Sequence, residues 1–190
     1  MGTAIAIPRH VAADRGKLPR LSAPFYQARA IVHWSMTIDG RARGWLDEQF
    51  HYRFREILLH TMSSFHLACP AYCLMPDHMH MVWMGLCSRS DQLLAARFFR
   101  RHLNRVLHPV NLQKQPYDHV LREEERKRDA FQSVVFYILD NPVRADIVSK
   151  AEEYPFAGCM VDGYPELDVH IAGFWDSFWR IYEKKILAEA

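Results

Sequence analysis

YCLMPDHMHMVWMG, residues 72–85, is the stretch whose reading decides the fold. Two apolar runs, Ala71–Met75 and His78–Met84, flank Pro76-Asp77. Runs this short around a turn dipeptide predict two strands joined by a tight connection. In a strand, side chains alternate between faces. His78 and His80 therefore share one face, and Met79, Met81 and Trp83 the other. Two neutral imidazoles side by side begin a metal site. The competing reading is local hydrogen bonding, and with 11 histidines in the chain most must be of that ordinary kind.

Upstream, Ala30–Ile38 (AIVHWSMTI) alternates, with Val32, Trp34, Met36 and Ile38 on one face and His33, Ser35 and Thr37 on the other. This predicts a half-buried strand, and Asp39-Gly40 a turn. Residues 47–66 read as a helix on the spacing of Phe50, Phe54, Ile57, Thr61 and Phe65. Downstream, Ser90 or Asp91 caps a helix to about Leu107, with Ala96, Phe99, Leu103 and Val106 as its apolar stripe. Arg97, Arg101 and Arg105 fall on the opposite side of that helix, and Arg100 adds to them. Between Arg89 and Arg105 there are five arginines and one acid, Asp91. Such a strip suits a phosphate backbone, and a solvated helix face is the plainer alternative.

A stretch with Pro and Gln, 109–116, leads into YDHVL (117–121), a short strand. REEERKRDAFQSVVFYILDN (122–141) then predicts a helix, which Pro142 ends or kinks near Asn141. The order strand, helix, strand, strand, helix, strand, helix predicts an α+β sandwich: antiparallel strands with helices gathered on one face. Tyr137 lies among Val134, Val135, Ile138 and Leu139, where a tyrosine is ordinarily core or interface. Asn141 stands one helical turn later, where its amide oxygen can complete a metal site or simply end the helix. Asp118 and His119 are either a polar pair near the site or part of a turn.

The chain has 190 residues, enough for one domain with a core and an appendage. Its net charge of +2 excludes a strongly basic tail and allows a local basic patch. Residues 1–22 read as a flexible leader, 23–150 as the main folded domain, and 151–190 as an extension ending in the amphipathic FWDSFWRIYEKKI. The N-terminal apolar run is too short for a signal peptide, and no stretch approaches ~20 apolar residues. The four cysteines, Cys69, Cys73, Cys87 and Cys159, include no C-x-x-C pair and match no standard zinc module. The expectation is a cytoplasmic protein with reduced thiols and no membrane partner.

Taken together, YCLMPDHMHMVWMG, YDHVLREEE (117–125) and FYILDNPVRADIV (136–148) resemble the REP-associated tyrosine transposases. These belong to the single-tyrosine HUH class, named for His-hydrophobic-His. The similarity runs from about Val32 to Val148, and YPFAGCMVDGYP also looks like the family's C-terminal extension. The resemblance implies a ferredoxin-like sheet, His78 and His80 as metal ligands, Asn141 as a further ligand and Tyr137 as nucleophile. It further implies Mg²⁺ or Mn²⁺ as cofactor, of which imidazole ligands suit Mn²⁺ better. Single-stranded or hairpin, REP-like DNA would be cleaved and joined through a 5′-phosphotyrosine. Asp146 departs from the family's glycine in NPVRAG, which bears on the local turn alone. Two rival readings are a non-catalytic nucleic-acid-binding module and a zinc hydrolase. The chain is expected to be a monomer or a homodimer whose surface the aromatic tail could cover.

Overall fold

The hairpin forms as expected. In the computed structural model, which describes residues 20–188, β2 (Leu67–Met75) and β3 (His78–Gly85) pair antiparallel across Pro76-Asp77. β1 (Ile31–Thr37) pairs with the other side of β3, β4 (Tyr117–Val120) with β1, and β5 (Ala157–Met160) with β2. The result is a five-stranded sheet in the order β4-β1-β3-β2-β5, with every pair antiparallel. Helices α1 (Glu48–Ser64), α2 (Gln92–Leu107), α3 (Arg128–Leu139), α4 (Asn141–Arg144) and α5 (Phe174–Ala188) complete the α+β architecture.

The helices do not gather on one face. Trp34 and Met36 of β1 and Met79, Met81 and Trp83 of β3 pack with Phe54, Leu58, Phe99 and Leu103 of α1 and α2. On the opposite face Ala71, Cys73, Val82 and Met84 pack with Phe131, Val135 and Ile138 of α3 and Phe178 of α5. The cause is in the central strands. All of β2 and nearly all of β3 are buried, and a strand apolar on both sides must be covered on both sides.

Other boundaries moved for local reasons. Asp91, not Ser90, caps α2 by accepting from Leu94 N at 2.9 Å. Ser90 Oγ instead accepts from Leu86 and Cys87 N and donates to the His66 carbonyl, tying down the preceding loop. The helix expected from Arg122 begins only at Arg128, after a 3-10 turn at Glu124–Arg126 and an extended Lys127. There the Glu125 carboxylate accepts from Arg122 N at 2.8 Å, closing the turn before a helix can start. Val106, assigned to the apolar stripe of α2, is 38% exposed, and Ala95 and Leu107 are buried in its place. β5 was not anticipated, because four residues with a glycine carry no legible period. The aromatic tail forms α5 and buries Phe174, Phe178 and Tyr182 within its own chain. Most of the expected leader, residues 1–19, lies outside the described residues. No described helix is long and apolar enough to cross a membrane.

Candidate active site

Sheet register assembles the site. Across β1 and β3, Ser35 faces His80 and Thr37 faces His78. Across β4 and β1, His119 faces His33 and Tyr117 faces Ser35. Directly paired residues share a face, so these side chains form one polar strip. The strip lies on the α3 side, because Val82, two residues past His80, packs in that core.

His78 and His80 do project together. Their Nε2 atoms are 3.0 Å apart, with the rings edge to face. Metal–imidazole bonds are ~2.0–2.1 Å long, so two such nitrogens at right angles about an ion lie ~3 Å apart. The pair therefore fits two neighbouring positions on a divalent cation. The outer nitrogens are also occupied. His78 Nδ1 is 2.7 Å from Asp77 Oδ1, and His80 Nδ1 is 3.1 Å from His33 Nε2. Arg41 holds the other Asp77 oxygen at 3.1 Å, and His78 together with Arg41 keeps that carboxyl below the usual range despite partial burial. Burial first, and the neighbouring His119 second, push His33 down to about 4, so it is neutral at neutral pH. His119 Nε2 in turn meets Glu125 Oε1 at 2.9 Å.

No group of three His, Cys, Asp or Glu among the described residues converges on a metal position. Cys73 stands directly across from His80, but its buried thiol meets the Met75 sulfur at 3.9 Å, and burial pushes its pKa up to about 12. Asn141 begins α4 and donates from Nδ2 to the carbonyls of Ile138 at 2.9 Å and Tyr137 at 3.3 Å. The chain stays helical through Asp140, so Pro142 kinks the path without ending it. These bonds use the amide nitrogen and leave Oδ1 as the atom able to meet a ligand or a metal.

Tyr137 lies on α3, the helix that covers the histidine face of the sheet. Its ring is half-exposed and stacks under the Arg144 guanidinium at 4.1 Å. It opens onto a cleft of about 590 Å³ that Ser133, Phe136, Asp140, Glu152 and His170 also line. An arginine over a tyrosine face places positive charge beside the phenol ring and the cleft.

The arginine strip stands elsewhere. Arg97, Arg101 and Arg105 are exposed on α2, whose buried side packs against the sheet face opposite the histidines. Arg100 is half-buried and donates to the Gln113 carbonyl, so it braces a loop instead of extending the strip. Beside the strip, Phe98 contacts the His60 and His102 rings, with the Arg101 guanidinium over its own ring. The pair Asp118-His119 is split by strand alternation. His119 joins the histidine strip, while Asp118 turns to the other face and holds Tyr26 and Arg20. Sequence reasoning missed His33, Asp77 and Glu125. His33 was legible as facing away from Trp34, but its partner depended on the β1–β3 register.

No protein-family model matches the chain, and no curated protein does. Solved structures do. The chain shares its fold with a REP-associated tyrosine transposase. That structure, solved bound to a REP hairpin, overlays with a TM-score of 0.62 at 19% identity, over 75% of this chain and 81% of that one. A bacterial tRNA(His) guanylyltransferase-like protein in complex with GTP overlays less closely, with a TM-score of 0.46 at 12% identity over 89% of this chain and 92% of that one.

Proposed function

We propose that this chain is a metal-dependent DNA strand-transfer enzyme of the single-tyrosine HUH kind, acting on single-stranded or hairpin DNA. One observation carries the reading. Two histidine Nε2 atoms stand 3.0 Å apart on the sheet face that the Tyr137 helix covers. A REP-associated tyrosine transposase with the same fold supports it, since that protein was solved on a REP hairpin.

His78 and His80 would hold the cation through Nε2, with Asn141 Oδ1 as a further donor. Mg²⁺ or Mn²⁺ bound there would polarise the scissile phosphate and offset charge in the transition state. The Tyr137 oxygen attacks phosphorus in line, its proton passing to solvent or a bound base. A new P–O bond forms to tyrosine, and the P–O bond to the 3′ oxygen breaks. The leaving oxygen takes up a proton and becomes a 3′-hydroxyl, and the 5′ end stays on the protein as a phosphotyrosine ester. Attack by another strand's 3′-hydroxyl reverses the exchange and frees Tyr137 without a nucleotide cofactor. Arg144, over the Tyr137 ring, offers a charge-assisted donor to the phosphate. Arg97, Arg101 and Arg105 contact more distant phosphates of the same DNA.

The test is a labelled hairpin with a single-stranded flank, incubated with protein and Mn²⁺ and run on a denaturing gel. Wild type should give a protein-linked DNA band that protease removes. Tyr137→Phe should bind the same DNA and give no band. Binding without an adduct by wild type would favour the non-catalytic module. An adduct that persists in Tyr137→Phe would move the nucleophile to Tyr117, which lies in the same sheet row as His80.

A further inference from the structure

The metal reading leaves a question about protons. Both Nε2 lone pairs can face one cation only if both rings carry their proton on Nδ1. A free neutral imidazole in water has no strong reason to choose that tautomer or hold that angle. Partners at the outer nitrogens must supply the reason. For His78 the partner is plain, since Asp77 Oδ1 at 2.7 Å is an acceptor that fixes the proton on Nδ1. For His80 the partner comes from the neighbouring strand. The atom at its Nδ1 is His33 Nε2, at 3.1 Å.

We infer that His33 is a positioning residue: its Nε2 accepts the His80 Nδ1–H and so turns the His80 Nε2 lone pair toward the metal position. This rests on the proposed metal-dependent reading of the site. His33 is not itself a third ligand, because it meets His80 at the edge opposite the paired Nε2 atoms. To accept there, His33 must keep its own proton on Nδ1. Its ring is held in place within β1, at a register position facing Val82 on one side and His119 on the other. The two ligands are therefore aimed by different chemistry, His78 by a carboxylate next to it in sequence and His80 by a neutral imidazole from the adjacent strand.

The experiment measures Mn²⁺ binding by the DNA-free protein, from the free-ion EPR signal, with no turnover involved. Wild type is compared with His33→Gln and His33→Leu. Glutamine can place an acceptor oxygen near the position of Nε2, while leucine fills the space with no acceptor. Loss of an outer partner typically weakens metal binding ~10–100-fold. Weakening of that size is expected for His33→Leu, with His33→Gln close to wild type and both variants unfolding near the wild-type temperature. Equal affinity in all three overturns the role of His33 and leaves the metal site standing. Absence of Mn²⁺ binding by wild type overturns the metal reading and this inference with it. Should His33→Leu not fold, His33→Gln is set against His33→Asn, whose shorter amide cannot reach the Nε2 position. An affinity no higher for Gln than for Asn then sinks the proposal.

Discussion

At the scale of single residues, Asp146 shows how a departure from a family pattern acquires a physical meaning. It follows α4 with φ 54°, in the left-handed region, where glycine is at ease and other residues are strained. Asp146 N bonds the Val143 carbonyl at 3.0 Å, and Ile147 N bonds the Pro142 carbonyl at 2.9 Å. That pattern is a Schellman ending, which calls for a left-handed residue at this position. Asp146→Gly should therefore raise stability by about 0.5 kcal/mol, the strain relieved being partly offset by greater freedom of the unfolded chain. Asp146→Val, β-branched and unable to adopt this conformation cheaply, should lower it by about 1–2 kcal/mol. Urea unfolding of the three proteins checks the order, and a Val variant as stable as wild type would remove the strain argument. The histidine pair was legible from sequence for a different reason. Residues two apart in a strand share a face whatever the strand pairs with. His33 was not legible as a partner, because only the register of β1 on β3 brings it to His80.

At the scale of elements, strands and helices with a clean period were readable, and short or charge-controlled ones were not. β1, α1, β3 and α2 lie within a residue or two of their expected ends, whereas β2 begins at Leu67, earlier than the run from Ala71 suggested. Cys69 and Pro70 obscured that start. The junction of α1 with β2 and β5 carries a buried polar contact with a testable pH signature. Arg55 donates to the Tyr72 hydroxyl at 2.7 Å, so Tyr72 has its proton left to give to His51 Nε2 at 3.0 Å. His51 must be neutral to accept it. Burial first, and Arg55 second, push its pKa down to about 4. An unfolded histidine titrates near 6.5, so between about pH 6.5 and 4 the unfolded state binds a proton that the folded state refuses. The stabilisation is full above pH 6.5 and is lost as the pH falls toward 4. Allowing for partial exposure, about 1 kcal/mol should disappear by pH 5. His51→Gln keeps an acceptor for Tyr72 and has no proton to gain. Its stability should thus fall less than that of wild type between pH 7.5 and 5 in urea titrations, and identical pH slopes would show that His51 is not the group involved.

At the scale of the whole molecule, the sheet separates the two regions to which functions are proposed. The proposed chemistry belongs to the face under α3, with His78, His80 and Tyr137. The exposed arginines belong to α2 on the opposite face. The sequence could not reveal this separation, because an arginine strip and a histidine pair look equally near along the chain. Which face each helix covers depended on β2 and β3 being apolar on both sides. DNA that meets both regions must therefore pass around an edge of the sheet, and the two regions should fail independently. Removing one cation from a phosphate of single-stranded DNA lowers the slope of log affinity against log salt by ~0.7, and from a phosphate of a duplex stem by ~0.9. Changing Arg97, Arg101 and Arg105 to Ala should lower that slope by about 2 to 3 if all three touch phosphate. Arg100→Ala should change it little, because that guanidinium already serves the Gln113 carbonyl. At saturating DNA and low salt, the triple variant should form adduct at a rate near that of wild type, its defect appearing as a higher DNA requirement. His78→Ala should do the reverse, keeping the salt slope and losing the adduct. Two measurements decide the matter: filter binding from 50 to 200 mM salt, and single-turnover adduct formation against DNA concentration. If the triple variant keeps the wild-type salt slope, α2 is outside the DNA path. If its saturated rate collapses with His78 and His80 intact, the two faces are coupled, and DNA held on α2 must be what delivers the phosphate to Tyr137.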